Sequence, residues 1–122
     1  MLRGAGDKAF VSGADISQFE KFRHNADAQK EYDRIPGIGR EKFHNFPKPL
    51  IARIHGFCMG GGMGTAVSCD LRIASEDSKF GVPAAKLGLG YGYTGVKRLV
   101  DLVGPSFAKE IFFTARQFDA QE

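Results

Sequence analysis

Gly56-Phe57-Cys58-Met59-Gly60-Gly61-Gly62, followed at once by Met63-Gly64-Thr65-Ala66-Val67-Ser68-Cys69, is the stretch on which the fold turns. Three consecutive glycines strip away every side chain where an apolar strand gives way to small residues that suit a helix packed closely on a neighbour. Glycine is a poor helix former by about 1 kcal/mol per residue, so a run of it at a helix head needs another reason. The first N–H groups of a helix have no acceptor within it, and that end of the dipole attracts negative charge. Two readings stand at this point: bare backbone holding an anion, or a strand-to-helix crossing so tight that only glycine fits.

Working outward, Asp70 leads into Leu71-Arg72-Ile73-Ala74, which reads as a short buried strand, and Leu50 to Ile54 alternates like a strand after the Pro47-Lys48-Pro49 break. His55-Gly56 turns the chain between the two patterns. At the N-terminus, Met1-Leu2-Arg3 reads as the end of a strand running into the turn Gly4-Ala5-Gly6-Asp7. Phe10-Val11 precede Ser12-Gly13-Ala14-Asp15-Ile16, and Ser17-Gln18-Phe19-Glu20 has capping-box spacing, so a helix is expected from Ser17, with Phe19, Phe22 and Ala26 on its apolar face. Ile35-Pro36-Gly37-Ile38-Gly39 is expected to break it, with a second helical piece over Arg40 to Phe46. Toward the end, Val96, Leu99, Val100 and Val103 repeat at helical spacing between a Thr94 cap and a Gly104 stop, and Ser106 caps a further helix carrying Phe107, Ile111 and Phe112. Alternating short strands and helices give an α/β class. No internal repeat and no low-complexity segment is visible in the sequence.

At 122 residues, 43% of them apolar, the chain is the size of one domain. Its sixteen glycines exceed the usual share of roughly 7% and cluster between apolar stretches, which points to backbone shaped around a ligand. The net charge of +3 is spread as mixed signs, which speaks against nucleic-acid binding. Cys58 and Cys69 lack the spacing and the histidines of a zinc site and read as reduced core thiols of a cytoplasmic protein; no metal site is expected. No apolar run reaches the roughly 20 residues that span a bilayer, so no membrane partner is expected.

Taken together, Ala-Phe-Val-Ser-Gly-Ala-Asp-Ile at positions 9 to 16, Gly-Phe-Cys-Met-Gly-Gly-Gly at 56 to 62 and Cys69-Asp70-Leu71-Arg72-Ile73-Ala74 closely resemble the crotonase (enoyl-CoA hydratase/isomerase) superfamily. Phe80-Gly81-Val82-Pro83, Lys86-Leu87-Gly88-Leu89 and the Arg98-Leu99 helix extend the resemblance, which runs from Leu2 to the end. It implies a ClpP/crotonase-type spiral of ββα units, of which residues 1–122 would be the central part of a single domain, incomplete at both ends. It also implies an acyl-CoA thioester as substrate, with coenzyme A as part of that substrate and no permanently bound cofactor. Assembly into homotrimers or hexamers is implied as well.

By the same resemblance, the N–H groups of Ala14 and Gly61 would form an oxyanion hole. Ala14, Asp15 and Ile16 would lie along CoA, and Gly60, Gly61, Pro83 and Ala84 would border the substrate. A charge developing on a thioester oxygen needs such preorganised donors, and losing one typically costs about 3 kcal/mol of transition-state stabilisation. Hydratases of the family use two glutamates, one just after the glycine run and one after the proline of Phe-Gly-x-Pro. Here Gly64 and Ala84 stand at those positions, and neither transfers a proton.

Tyr91, where the family commonly has proline, is a candidate acid, although Tyr91 and Tyr93 are also suited to filling the volume left by missing carboxylates. His55 reads as a hydrogen-bonded structural residue, His24 and His44 as solvated, and Asp70 as structural. Gly90-Tyr91-Gly92-Tyr93-Thr94-Gly95 satisfies GxGxxG, yet a dinucleotide site needs a buried strand before it, and Pro83-Ala84-Ala85-Lys86 stands there instead. Two functions follow: an enzyme stabilising a thioester enolate, or a non-catalytic acyl-CoA-binding or assembly subunit that has lost its carboxylates.

Overall fold

A computed structural model describes residues 1–13, 34 and 37–122. The expected helix from Ser17, with Phe19, Phe22 and Ala26, lies outside the described residues, as does His24. The chain divides into two compact units, Met1–Gly13 with Pro49–Glu122, and Ala14–Lys48. In the second unit residues 37–44 are helical, so Gly37-Ile38-Gly39 belong to a helix rather than breaking one.

The first unit is mixed α/β. Its strands are β1 (Leu2–Arg3), β2 (Ala9–Val11), β3 (Ile51–Ile54), β4 (Phe57–Met59), β5 (Leu71–Ala74), β6 (Lys79–Gly81) and β7 (Phe118–Asp119). Helix α1 spans Gly61–Ser68, a 3-10 turn spans Pro83–Leu87, and helix α2 spans Tyr93–Thr114. One parallel sheet has the order β1-β3-β5; the other has the order β2-β4-β6-β7, parallel except for the last pair.

From β1 to β6 the strands therefore alternate between the sheets, so each consecutive pair contributes one strand to each, and β7 adds to the second sheet beside β6. β3, β4 and α1 make one strand-strand-helix unit, and β5, β6 and α2 make the next. The sequence shows no repeat because this repetition is geometric. Stacked corners hold it in register: Phe57 N–H donates to Lys8 O at 3.2 Å and Lys79 N–H to Gly56 O at 3.0 Å. Gly56 turns with φ +65°, a left-handed conformation that favours glycine.

The buried side chains include Phe10, Ile54, Cys58, Met63, Leu99 and Ile111. Cys58 and Cys69 are buried free thiols, as expected. Leu71–Ala74 is a strand but not a buried one: all four residues are exposed, with Leu71 at 56% and Ile73 at 60%. Leu71 and Ile73 pair with Ile51 and Arg53, on the sheet face where Arg53 is exposed too, and β5 is the last strand of its sheet among the described residues.

α2 is two helical arms. Gly104 has φ 79° and ψ 163°, outside helical values, and Pro105 follows it, which realises the expected Gly104 stop and the second helix after it. The helix begins at Tyr93 with Gly92 as N-cap, so Thr94 does not cap it. Two short strands were not expected. β6 is too short to show a period, and β7 is pinned by Phe118, whose ring lies 5.6 Å from those of Phe80 and Phe107.

Candidate active site

β2 and β4 run side by side in parallel, Ala9 opposite Phe57 and Val11 opposite Cys58. Where β4 ends, Gly60 takes φ 54° and ψ −112° and becomes the N-cap of α1. Positive φ is strained for any residue with a Cβ, which explains one glycine of the run. The next explanation is contact: a Cβ on Gly62 would lie 2.0 Å from Val11 O. The tight-crossing reading of the glycines therefore holds at residues 60 and 62. Gly61, the first residue of α1, is exposed, and its N–H has no acceptor within the helix.

Ala14, Asp15 and Ile16 lie outside the described residues. Gly13, just before them, has φ 106°, and a Cβ on it would meet Met59 O at 3.9 Å. The chain thus leaves β2 beside the end of β4, two residues before Gly61.

The loop after the 3-10 turn approaches the same place. A Cβ on Gly60 would stand 3.7 Å from Tyr91 Oη and 3.9 Å from Pro83 Cδ. Gly60, Pro83 and Tyr91 are therefore brought together at the head of α1. Tyr91 is held by Phe112 in an edge-to-face contact, ring centroids 5.2 Å apart. Because the arms of α2 bend at Gly104, Phe112 reaches back to a residue that precedes the helix. Tyr91 is 39% exposed, and the burial of the rest of the ring raises its phenol above the ordinary value, so at neutral pH it carries its proton. Tyr93 is 79% exposed and fills no interior volume, contrary to that expectation.

Gly64 lies on the second turn of α1, and a Cβ there would meet nothing within 4 Å. Ala84 is buried in the 3-10 turn. That turn, rather than a buried strand, precedes the GxGxxG stretch, so the context of a dinucleotide site is missing. Asp70 Oδ2 accepts the Leu50 N–H at 2.7 Å, and His55 Nδ1 pairs with Ser75 Oγ at 3.0 Å; both serve the framework. Asp77, 3.6 Å from His55 Nδ1, is held below the usual carboxylate range chiefly by its hydrogen bond to Ser75.

The far end of α1 is fastened by residues that sequence reading gave no part. Arg72 Nη1 donates to Cys69 O at 2.6 Å and to Ala66 O at 3.2 Å, satisfying end carbonyls and offsetting the negative pole. Arg98 Nη1 donates to Ser68 Oγ at 2.6 Å. The only signal in the sequence was a cation a few residues past the helix. Among the described residues no helix is long and apolar enough to cross a membrane, and no cluster of His, Cys, Asp and Glu suits a metal ion.

The family model for enoyl-CoA hydratase/isomerase matches residues 1–122. A short-chain-enoyl-CoA hydratase of Clostridium acetobutylicum is 42% identical over all of this chain and 46% of that protein. A crotonyl-CoA hydratase of Syntrophomonas wolfei is 41% identical, with the same shares covered. Among solved structures, an enoyl-CoA hydratase/carnithine racemase from Magnetospirillum magneticum superposes with TM-score 0.89 at 39% identity, over 98% of this chain and 45% of that one. The chain spans about half the length of these relatives. With the strand-strand-helix arrangement and a full-length match behind it, the chain belongs to the enoyl-CoA hydratase/isomerase family.

Proposed function

We propose that this chain carries the core of an acyl-CoA thioester enzyme that stabilises an enolate between the backbone amides of Ala14 and Gly61. The observation that carries the reading is the head of α1. An amide without a helical acceptor opens beside the exit of β2, and a protonated phenol stands against the neighbouring Gly60. A thioester carbonyl seated there gains negative charge as its α-carbon is activated. Two fixed N–H donors stabilise that charge without reorganising. Asp15 and Ile16 would follow CoA from Ala14, and Pro83 and Ala84 would border the acyl group, with CoA arriving as part of the substrate.

Ordinary two-carboxylate hydration is disfavoured, because Gly64 and Ala84 occupy the positions matched to the family's glutamates. Tyr91 serves as the proton donor to the enolate in this reading. Isomerisation, decarboxylation and an atypical hydration pass through such an enolate, whereas hydrolysis passes through a tetrahedral oxyanion that the same two donors would hold. We infer a cytoplasmic homotrimer or hexamer for the whole protein.

Binding without turnover is the rival reading, favoured by the hydrocarbon character of positions 64 and 84. Deuterium exchange at the α-carbon of a saturated acyl-CoA in heavy water, together with carbon dioxide release from a malonyl-type thioester, separates the two. Either signal supports the enzyme; thioester binding with neither signal contradicts it.

A further inference from the structure

α1 is a helix of eight residues with glycine at positions 61, 62 and 64, so little in its own sequence keeps it straight. Its head is wedged where Gly62 meets Val11 O. Met63 and Ala66 pack its middle, and Arg72 caps its last carbonyls from within the same run of chain. Seven residues at about 1.5 Å each still make a lever roughly 10 Å long, whose tail is tied to α2 by a side-chain bond from Arg98 to Ser68. What fixes the other end decides where the Gly61 amide aims.

The bonds at that end form a chain. Arg98 Nη1 donates to Ser68 Oγ at 2.6 Å, and the same hydroxyl donates to Gly64 O at 2.8 Å. Gly64 N–H in turn donates to Gly60 O at 3.1 Å, and Gly60 is the residue against which Tyr91 Oη is set. Both capacities of the Ser68 hydroxyl are thus used along one line. The Arg98 end is charged, which shortens and strengthens such a bond, and linked hydrogen bonds polarise one another. Arg98 stands in the first arm of α2, on the same run of chain as the Tyr91 loop. One guanidinium therefore references the oxyanion helix to the loop that carries the phenol.

We propose that Arg98, acting through Ser68, is a positioning residue that holds the Gly61 N–H in line with Tyr91. It touches no reacting atom. The inference rests on the thioester reading above and adds a requirement to it: the tail of α1 must be tied to α2 for the amide at its head to polarise the substrate. A purely structural arginine would change stability without changing how strongly a bound carbonyl is polarised.

A conjugated dienoyl-CoA thioester reports that polarisation, because its absorbance moves to longer wavelength when the carbonyl oxygen is gripped by donors. The protein is compared with Arg98→Met, Arg98→Lys and Ser68→Ala, with the circular dichroism melt of each recorded. The expected result is a red shift in the unaltered protein that falls by at least half in Arg98→Met and Ser68→Ala. The dissociation constant should change less than about threefold, and Arg98→Lys should recover most of the shift.

A full shift retained in Arg98→Met or Ser68→Ala overturns the inference and leaves the thioester reading standing. So does weakened binding with an unchanged shift per bound ligand. If Arg98→Met does not fold, Ser68→Ala decides alone, since it removes one oxygen from a partly buried site. No red shift in the unaltered protein overturns both readings together.

Discussion

The carbonyl oxygen of Val11 stands 2.0 Å from the point that a Cβ on Gly62 would occupy, and Val11 Cβ stands 2.9 Å from it. Helix α1 is thereby pressed against the last residue of β2, which brings its head beside the end of that strand. Gly62→Ala must push strand and helix apart, so it should destabilise the protein by about 2 kcal/mol. Gly64→Ala, two residues on, meets nothing within 4 Å and should stabilise α1 by up to about 1 kcal/mol. Urea midpoints of the two variants should move in opposite directions; equal midpoints would contradict the close approach.

Tyr91→Phe removes the oxygen near Gly60 and keeps the ring against Phe112. Stability should change by no more than about 0.5 kcal/mol, while kcat should fall about 100-fold if the phenol gives the proton. A neutral phenol is the active form and burial raises its pKa. Activity should therefore hold level through pH 10, the ordinary phenol value, and fall as pH rises through the higher folded value. The unfolded state loses this proton first, so stability that is whole below the ordinary value declines over the same window. A decline in activity below pH 9, or a Tyr91→Phe variant of full activity, would remove Tyr91 from the chemistry.

Gly64→Glu with Ala84→Glu tests whether the framework still suits hydration. Position 64 has open space for a side chain, whereas Ala84 is 95% buried and a carboxylate there carries a desolvation cost. The double variant should gain measurable hydration of crotonyl-CoA, followed as loss of the enone absorbance, with a lower melting temperature. A folded double variant that binds the thioester and adds no water would show that these positions do not face the acyl group.

Burial pushes the Cys58 thiol up to about 12 and raises that of Cys69 as well. Thiolate is the reactive form, so neither cysteine should react with a disulfide reagent at pH 8 in the folded protein. Both should react at once in denaturant. Rapid labelling of the folded chain would mean that the core around β4 opens readily.

Much of this was legible in the sequence, and the reasons for the rest are physical. The glycine run announced a strand-to-helix crossing, because both readings of it, bare backbone for an anion and a tight approach, need residues without side chains there. Gly104 announced a stop, and a residue with φ 79° sits there. Leu71 and Ile73 are apolar and so suggest burial; strand register, which the sequence does not show, puts them on the face of exposed Arg53. The strands at Lys79–Gly81 and Phe118–Asp119 are too short to carry a period; the first exists through its pairing with β4 and the second through its pairing with the first. Tyr91 is a candidate through the family resemblance, standing where proline is common, but its approach to Gly60 and its contact with Phe112 depend on the fold. Arg98 and Ser68 gave no sign, since their bond joins residues thirty positions apart.

The amides of Ala14 and Gly61 can be watched directly by nitrogen-15 NMR while a slowly reacting acyl-CoA thioester is titrated in, beside the matching thioether that lacks the carbonyl. Both amide protons should move downfield with the thioester, along one saturation curve, and should stay nearly still with the thioether. If either amide ignores the thioester, or both respond equally to the two ligands, no carbonyl is held between them.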